Sequence, residues 1–343
     1  MQRTHFLSII VCLILLLLVF GCQSSRKIET IQLVKIEHEL YSAADDLHTP
    51  VSFGKVKAID IDGGGNLYVL DGEHYTVYKF DVTGKLLNSW GAKGMGPAEF
   101  RDPRALCVVS DSLVYVFHAG RADVTDTDGK YLRRIIAHSI YDVKVASDER
   151  IIYNYQDRSL YPGFCFSVYS PKSELIVDFR RAQAQKYKTE LADVGFMDLN
   201  SKDEIVYFQA YLDSSFIYDL NGNLLRSQPQ TLGFPRPALT DQEQTLLIED
   251  IFVDDKDHVF VLRVFRDDPD EGTFIKQIDE YDQNLQLIRK YELPEPITMS
   301  IGFNLISPWY HKFVKRDKQF LFLVSKPTDH LEIYIPHNLE GAD

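Results

Sequence analysis

Residues 55–91, KVKAIDIDGGGNLYVLDGEHYTVYKFDVTGKLLNSWG, decide how this chain is read. The apolar run Ala58 to Ile61 meets the turn Asp62-Gly63-Gly64-Gly65-Asn66. Leu67-Tyr68-Val69-Leu70 follows, and then the alternating Val77-Tyr78-Lys79-Phe80. A second turn, Asp81-Val82-Thr83-Gly84, leads into Lys85 to Trp90. Turn chemistry between short β-rich runs marks an antiparallel meander, so one unit is four strands.

The unit recurs along the chain. Asp102 to Ile135 repeats it, with the turn Asp126-Thr127-Asp128-Gly129; a third copy carries Ile151-Ile152-Tyr153 and Ser170-Pro171-Lys172-Ser173. A fourth has Ile205 to Phe208 and Asp219-Leu220-Asn221-Gly222, and a fifth has Val259 to Leu262 and Asp282-Gln283-Asn284. The last is Phe320 to Leu323, followed by Leu331 to Ile335. With Tyr68, Tyr115, Tyr153, Tyr207, Phe260 and Phe322 as markers, the steps are 47, 38, 54, 53 and 62 residues. Strand content is regular while loop lengths drift.

Six four-stranded units without a long helix between them predict an all-β, six-bladed β-propeller over residues 30–343. Thr30 to Glu39 precedes the first full unit and is expected to complete the last blade, closing the ring and removing a free sheet edge. Asp62 to Asp71, Val77 to Gly84 and Trp90 to Phe100 look like NHL-type propeller repeats. Taken with the N-terminus described next, the chain resembles the six-bladed propeller lipoproteins of Bacteroides-like bacteria. The resemblance is strong over 55–135 and periodic beyond. It implies a fold and an address, and no particular reaction.

Residues 1–21 read as a signal peptide. Arg3 and His5 precede a run, Phe6 to Phe20, that is apolar except at Ser8 and too short for a spanning helix. Val19-Phe20-Gly21-Cys22 looks like a lipobox, with Cys22 as the lipidated first residue and 22–29 as a tether. Phe20 is bulkier than that motif's usual occupant. Gln23 in place of Asp points, by resemblance to other lipoproteins, to the outer membrane over the inner. The expected partner at this end is therefore the membrane, and the expected location the cell envelope.

The formal charge is −13, and an acidic surface is a poor match for nucleic acid, whose affinity rests on phosphate attraction. Cys107 and Cys165 remain beyond Cys22, with no C-x-x-C pair for zinc. A bridge between them and two buried thiols are both open readings. Gly91 to Phe100 is glycine-rich, but prolines and a strand follow it where a phosphate loop needs a helix. It reads as a crossover with Phe100 packed between blades.

Channel-site chemistry on propellers, by resemblance to amidating lyases and lactonases, uses histidines or carboxylates from several blades. The histidines here are scattered, with no H-x-x-x-H pair, and no G-x-S-x-G elbow is present. Asp60, Asp142, Asp198, Glu249 and Asp250 lie on or beside runs expected to be innermost strands. Lys57, Arg104, Asp142 and Glu249 stand near the starts of those runs in four different repeats. They are expected to gather at one channel mouth as a ligand-binding set. No cofactor is evident. Arg180 to Lys188 is a basic run that reads as a solvated insertion or a contact for anionic lipid heads, and the connections 232–247 and 293–307, with Trp309 and Tyr310 after the second, are candidate ligand-contact loops.

Two functions follow. One is a membrane-tethered binding module for a peptide, glycan or protein partner. The alternative is a hydrolase or lyase using a divalent cation in the channel with Asp60, Asp198 and Glu249.

Overall fold

A computed structural model describes residues 28–36, 40–42, 49–137, 142–154, 166–179, 195–209, 214–229, 248–268, 273–293, 313–316, 319–324 and 330–337. The signal segment, Cys22, Cys165 and the loops 180–188, 232–247 and 294–310 lie outside the described residues.

The Asp-led turns fold as their chemistry demands. Asp81 Oδ1 accepts hydrogen bonds from the amides of Thr83 (2.8 Å) and Lys85 (3.0 Å). Asp126, Asp219 and Asp282 each do the same for the residues two and four positions on, and Ser170 does so with its hydroxyl. Each side chain thereby replaces a backbone partner and fixes a tight hairpin. The strands between them form β1 (Glu29–Ile36), the short pair β2 (Tyr41–Ser42) and β3 (Thr49–Pro50), and then a run of meanders. The first is β4 (Val56–Ile61), β5 (Leu67–Asp71), β6 (Thr76–Phe80) and β7 (Leu86–Trp90). Next come β8 (Pro103–Val109), β9 (Leu113–His118), β10 (Arg121–Asp126) and β11 (Tyr131–Ile136). The third is β12 (Asp142–Val145), β13 (Ile151–Asn154), β14 (Phe166–Tyr169) and β15 (Leu175–Phe179). The fourth is β16 (Gly195–Leu199), β17 (Ile205–Gln209), β18 (Ser214–Tyr218) and β19 (Leu224–Pro229). After these come β20 (Ile248–Val253), β21 (Val259–Asp268), β22 (Thr273–Tyr281), β23 (Leu287–Glu292), β24 (Phe313–Arg316), β25 (Gln319–Val324) and β26 (His330–Pro336).

The result is an all-β propeller of four-stranded antiparallel sheets. Four blades stand as separate sheets, not the six expected from the repeats. β2 and β3 pair with each other, and the other strands join into one eight-stranded sheet, ordered β20-β21-β22-β23-β1-β26-β25-β24. The cause is β1, which changes partner halfway. Glu29 to Gln32 pair parallel to β23, and Leu33 to Ile36 pair antiparallel to β26. The N-terminal strand thus meets the last strand of the chain, as the repeat pattern required, and fuses two four-stranded runs in doing so.

Innermost strands pack around the axis in the order β4, β8, β12, β16, β20, β24 and back to β4. Second strands carry continuous apolar runs because both their faces are covered; Leu67, Tyr68, Val69 and Leu70 are fully buried. Outer strands such as β19 keep one face in water. Val56, Ile59, Leu67, Val69 and Phe80 pack with Val314 and Leu321, sealing the first sheet to the last strands. Phe100 is buried among Ala58, Tyr68 and Trp90 of one sheet and Leu106 and Val116 of the next, so the glycine-rich stretch is an inter-blade crossover. Gly91 is required there: its φ is +114°, and a Cβ would lie 2.4 Å from Tyr75 O. The Cys107 thiol is buried and donates to Val143 O at 3.4 Å.

Two of the sequence markers, Tyr153 and Tyr207, were out of step by one residue. The bulges align Asp71, His118 and Arg263, the residues that face Val56, Pro103 and Ile248 at the register shifts. Tyr68 is equivalent to Tyr115 and Phe260, each three residues before its bulge partner, whereas Tyr153 and Tyr207 stand one residue past the equivalent Ile152 and Val206.

Candidate functional site at the channel mouth

The inner strands begin at one face of the ring and end in tight turns at the other. Three of the four expected mouth residues share a local device. The ladder register shifts between Val56 and Ala58, between Pro103 and Ala105, and between Ile248 and Asp250. Lys57, Arg104 and Glu249 are the extra residues at these β-bulges. A bulge leaves its residue unpaired and turns it away from the regular alternation.

Lys57, Arg104 and Asp142 line one cavity, together with Asp60, Lys144 and Asp250. Glu249 starts its strand at the same face, with Asp250 beside it in the lining. The Lys57 stem lies across Gly72, where a Cβ would sit 2.6 Å from Lys57 Cγ. Burial, then the charges of Lys55 and Arg104, lower the Lys57 pKa. Arg104 holds Asp102 through Nε (2.9 Å) and a terminal nitrogen (2.7 Å). Asp142 is buried and accepts from Asn154 Nδ2, which also donates to Gly195 O at 3.0 Å. Among the described residues Lys57 makes no ion pair.

Deeper in the ring, Lys144 Nζ lies 2.7 Å from Asp198 Oδ1. Lys144, Asp60 and Asp198 all stand one residue before the end of their inner strands. Asp60 Oδ1 accepts from the Ile61 amide and Oδ2 from the Val108 amide of the neighbouring β8 (2.8 Å). Asp198 repeats the pattern with Leu199 and with Val253 of β20 (2.8 Å). Burial pushes the Asp60 carboxyl up to about 6, against the pull of Lys144 and these amides. Burial alone would lower the Lys144 ammonium, but Asp198 and Asp60 hold it above its ordinary range. Asp60 and Asp198 thus pin neighbouring inner strands and flank an ammonium, at the opposite end of the strand from Glu249.

At the turn face, carboxylates link sheet to sheet. Asp111 accepts from the Gly63 amide at 2.5 Å. Asp203 takes the amide (2.8 Å) and hydroxyl (2.5 Å) of Ser147, and Asp257 those of Ser201 (2.7 and 2.8 Å). All three hold left-handed φ values, 54°, 59° and 61°, which Asp tolerates better than most residues. The sequence reading missed these clasps and Lys144. Alignment on the turns, instead of on the aromatics, would have shown both.

Among the described histidines, His74 pairs with Asp71 (2.9 Å) and His258 with Glu280 (2.8 Å), while buried His118 accepts from the Arg101 amide (3.1 Å). Each serves its own sheet or crossover. Among the described residues no group of three His, Cys, Asp or Glu side chains is placed to hold a metal ion.

No family model and no curated protein matches this sequence. Solved structures do. A putative exported protein from Bacteroides fragilis superposes with a TM-score of 0.56 at 14% identity, over 90% of this chain and 99% of that one. A member of the DUF4221 family from Bacteroides vulgatus gives 0.55 at 12% identity, over 89% and 97%. At such identities the likeness is one of fold.

Proposed function

We propose that this propeller is an extracytoplasmic binding module, tethered to the membrane through lipid on Cys22, that takes an anionic group of a peptide, glycan or protein partner at the channel mouth. The observation that carries the reading is Lys57. It faces the cavity beside Lys55 and Arg104, and the nearby Asp102 is already bonded to Arg104. A cation held partly out of water beside other cations gains more from an anion than an exposed lysine does. The exported Bacteroides protein of like fold supports the compartment. A cation-dependent hydrolase or lyase built on Asp60, Asp198 and Glu249 has less support, because Lys144 stands beside the first two and the third lies at the other end.

Binding of short acidic peptides and of uronate oligosaccharides, followed by calorimetry, tests the site. Arg104→Ala should weaken a bound probe about tenfold, the loss of one charged hydrogen-bonding group. Lys85→Ala, on an outer turn, should leave it unchanged. Equal loss from both would refute the mouth as the site. Cys22→Ala should release the protein from membranes, since the buried acyl chains would be gone; a cleaved variant that stays bound refutes the tether.

A further inference from the structure

The direction of β1 fixes which face the tether leaves. β1 runs parallel to β23, and therefore opposite to the innermost strand β20 of the same sheet. Its first residue, Glu29, pairs with Arg289, just after the Asp282–Gln286 turn. The chain before Glu29 therefore departs from the turn face, where the inner strands end. Lys57, Arg104 and Asp142 stand at the opposite face, where those strands begin.

We propose that the tethered protein carries its turn face toward the membrane and opens the charged cavity away from it, so that the site takes a water-borne ligand and not a headgroup of the anchoring leaflet. The inference rests on the Cys22 tether proposed above and is independent of which ligand binds. Tether length supports it. The seven residues from Cys22 to Glu29 span about 25 Å when fully extended. β4 has six residues, so the two faces are separated by about 20 Å of strand before any turn is added. A mouth-down pose would use nearly all of the tether in crossing the depth of the ring. A turn-down pose uses none of it.

The test uses the full lipidated chain in vesicles of phosphatidylethanolamine and phosphatidylglycerol that carry a headgroup-linked energy acceptor. A donor dye is placed on Val82→Cys, exposed on the turn face, or on Glu73→Cys, exposed between β5 and β6 on the mouth face. Cys165→Ser provides the background, and Cys107 is buried. Energy transfer from position 82 should exceed that from position 73 by about twofold or more, given the ~20 Å between faces. Lys130→Cys and His74→Cys form a second pair on the same two faces and should rank the same way. Equal or reversed transfer in both pairs, with the protein membrane-bound, overturns the orientation and leaves the tether standing. If the wild-type chain fails to float with vesicles, or Cys22→Ala floats equally well, the tether reading and the orientation fall together.

Discussion

At the turn end of the inner strands, Asp111, Asp203 and Asp257 each reach to a neighbouring sheet and find backbone amides, and two of them a serine hydroxyl as well. At the mouth end, Lys57 is packed over Gly72 against its own kind of charge and has no carboxylate of its own among the described residues. Both ends are rich in charge. They differ in whether the charge is satisfied internally. A buried or half-buried group with a complete set of partners holds the fold, whereas one left in need of a counter-charge is where an external partner gains most. Lys144 with Asp60 and Asp198 lies between these extremes, satisfied yet facing the cavity.

The harshest way to break this contrast is to open the ring that keeps the two ends apart. Deleting residues 29–36 removes one ladder to β23 and another to β26, and takes buried Leu33 out of its cluster. A loss of about 5 kcal/mol or more is expected in urea unfolding, at the extreme of what local changes cause. A midpoint close to the parent's would show that β1 is dispensable.

Asp60 gives the next largest effect. Its native pKa of about 6 lies above the ordinary 3.8, so the folded chain keeps a proton that the unfolded chain has lost. Its stabilising contribution is present below about pH 4 and disappears as the pH rises through 6. Because the group is partly open to the cavity, about 2 kcal/mol is expected over that window, less than full burial would give. Subtracting the profile of Asp60→Asn, which cannot titrate, should isolate this slope; parallel profiles would show that Asp60 stays ionised.

A turn-face clasp should cost stability and nothing else. Asp257→Ala strands the Ser201 amide and hydroxyl, and about 1–2 kcal/mol is expected with ligand affinity unchanged. Lys57→Ala should do the reverse. Unfolding should move by less than about 0.5 kcal/mol, because a like-charge contact is relieved, while an acidic probe binds about tenfold more weakly. If the two variants exchange behaviours, the division between a structural face and a binding face is wrong.

Much of the fold was legible because its determinants are local. An Asp or Ser two residues before a turn amide announces a hairpin from four letters, and the apolar runs between hairpins did the rest. The number of separate blades was not legible. It depends on Glu29 finding Arg289, 260 residues away, and no local pattern carries that pairing. Lys57 and Arg104 could be suspected as charges at strand starts. Their bulges could not, since a bulge is a property of the ladder and not of one strand. Lys144 was hidden by the aromatic alignment, which set Tyr68 against Tyr153 where register sets it against Ile152.

The divided strand β1 also bears on the order of events during synthesis. Residues 29–36 are made among the first and meet their partners, 287–292 and 330–336, only when nearly the whole chain exists. Contacts of such high sequence separation form late and slowly. If the rest of the ring assembles first, closure orders little beyond eight residues, and reopening releases only those. The seam between β1 and β26 should then act as a separate cooperative unit, exchanging its amide hydrogens well before the fully buried second strands do.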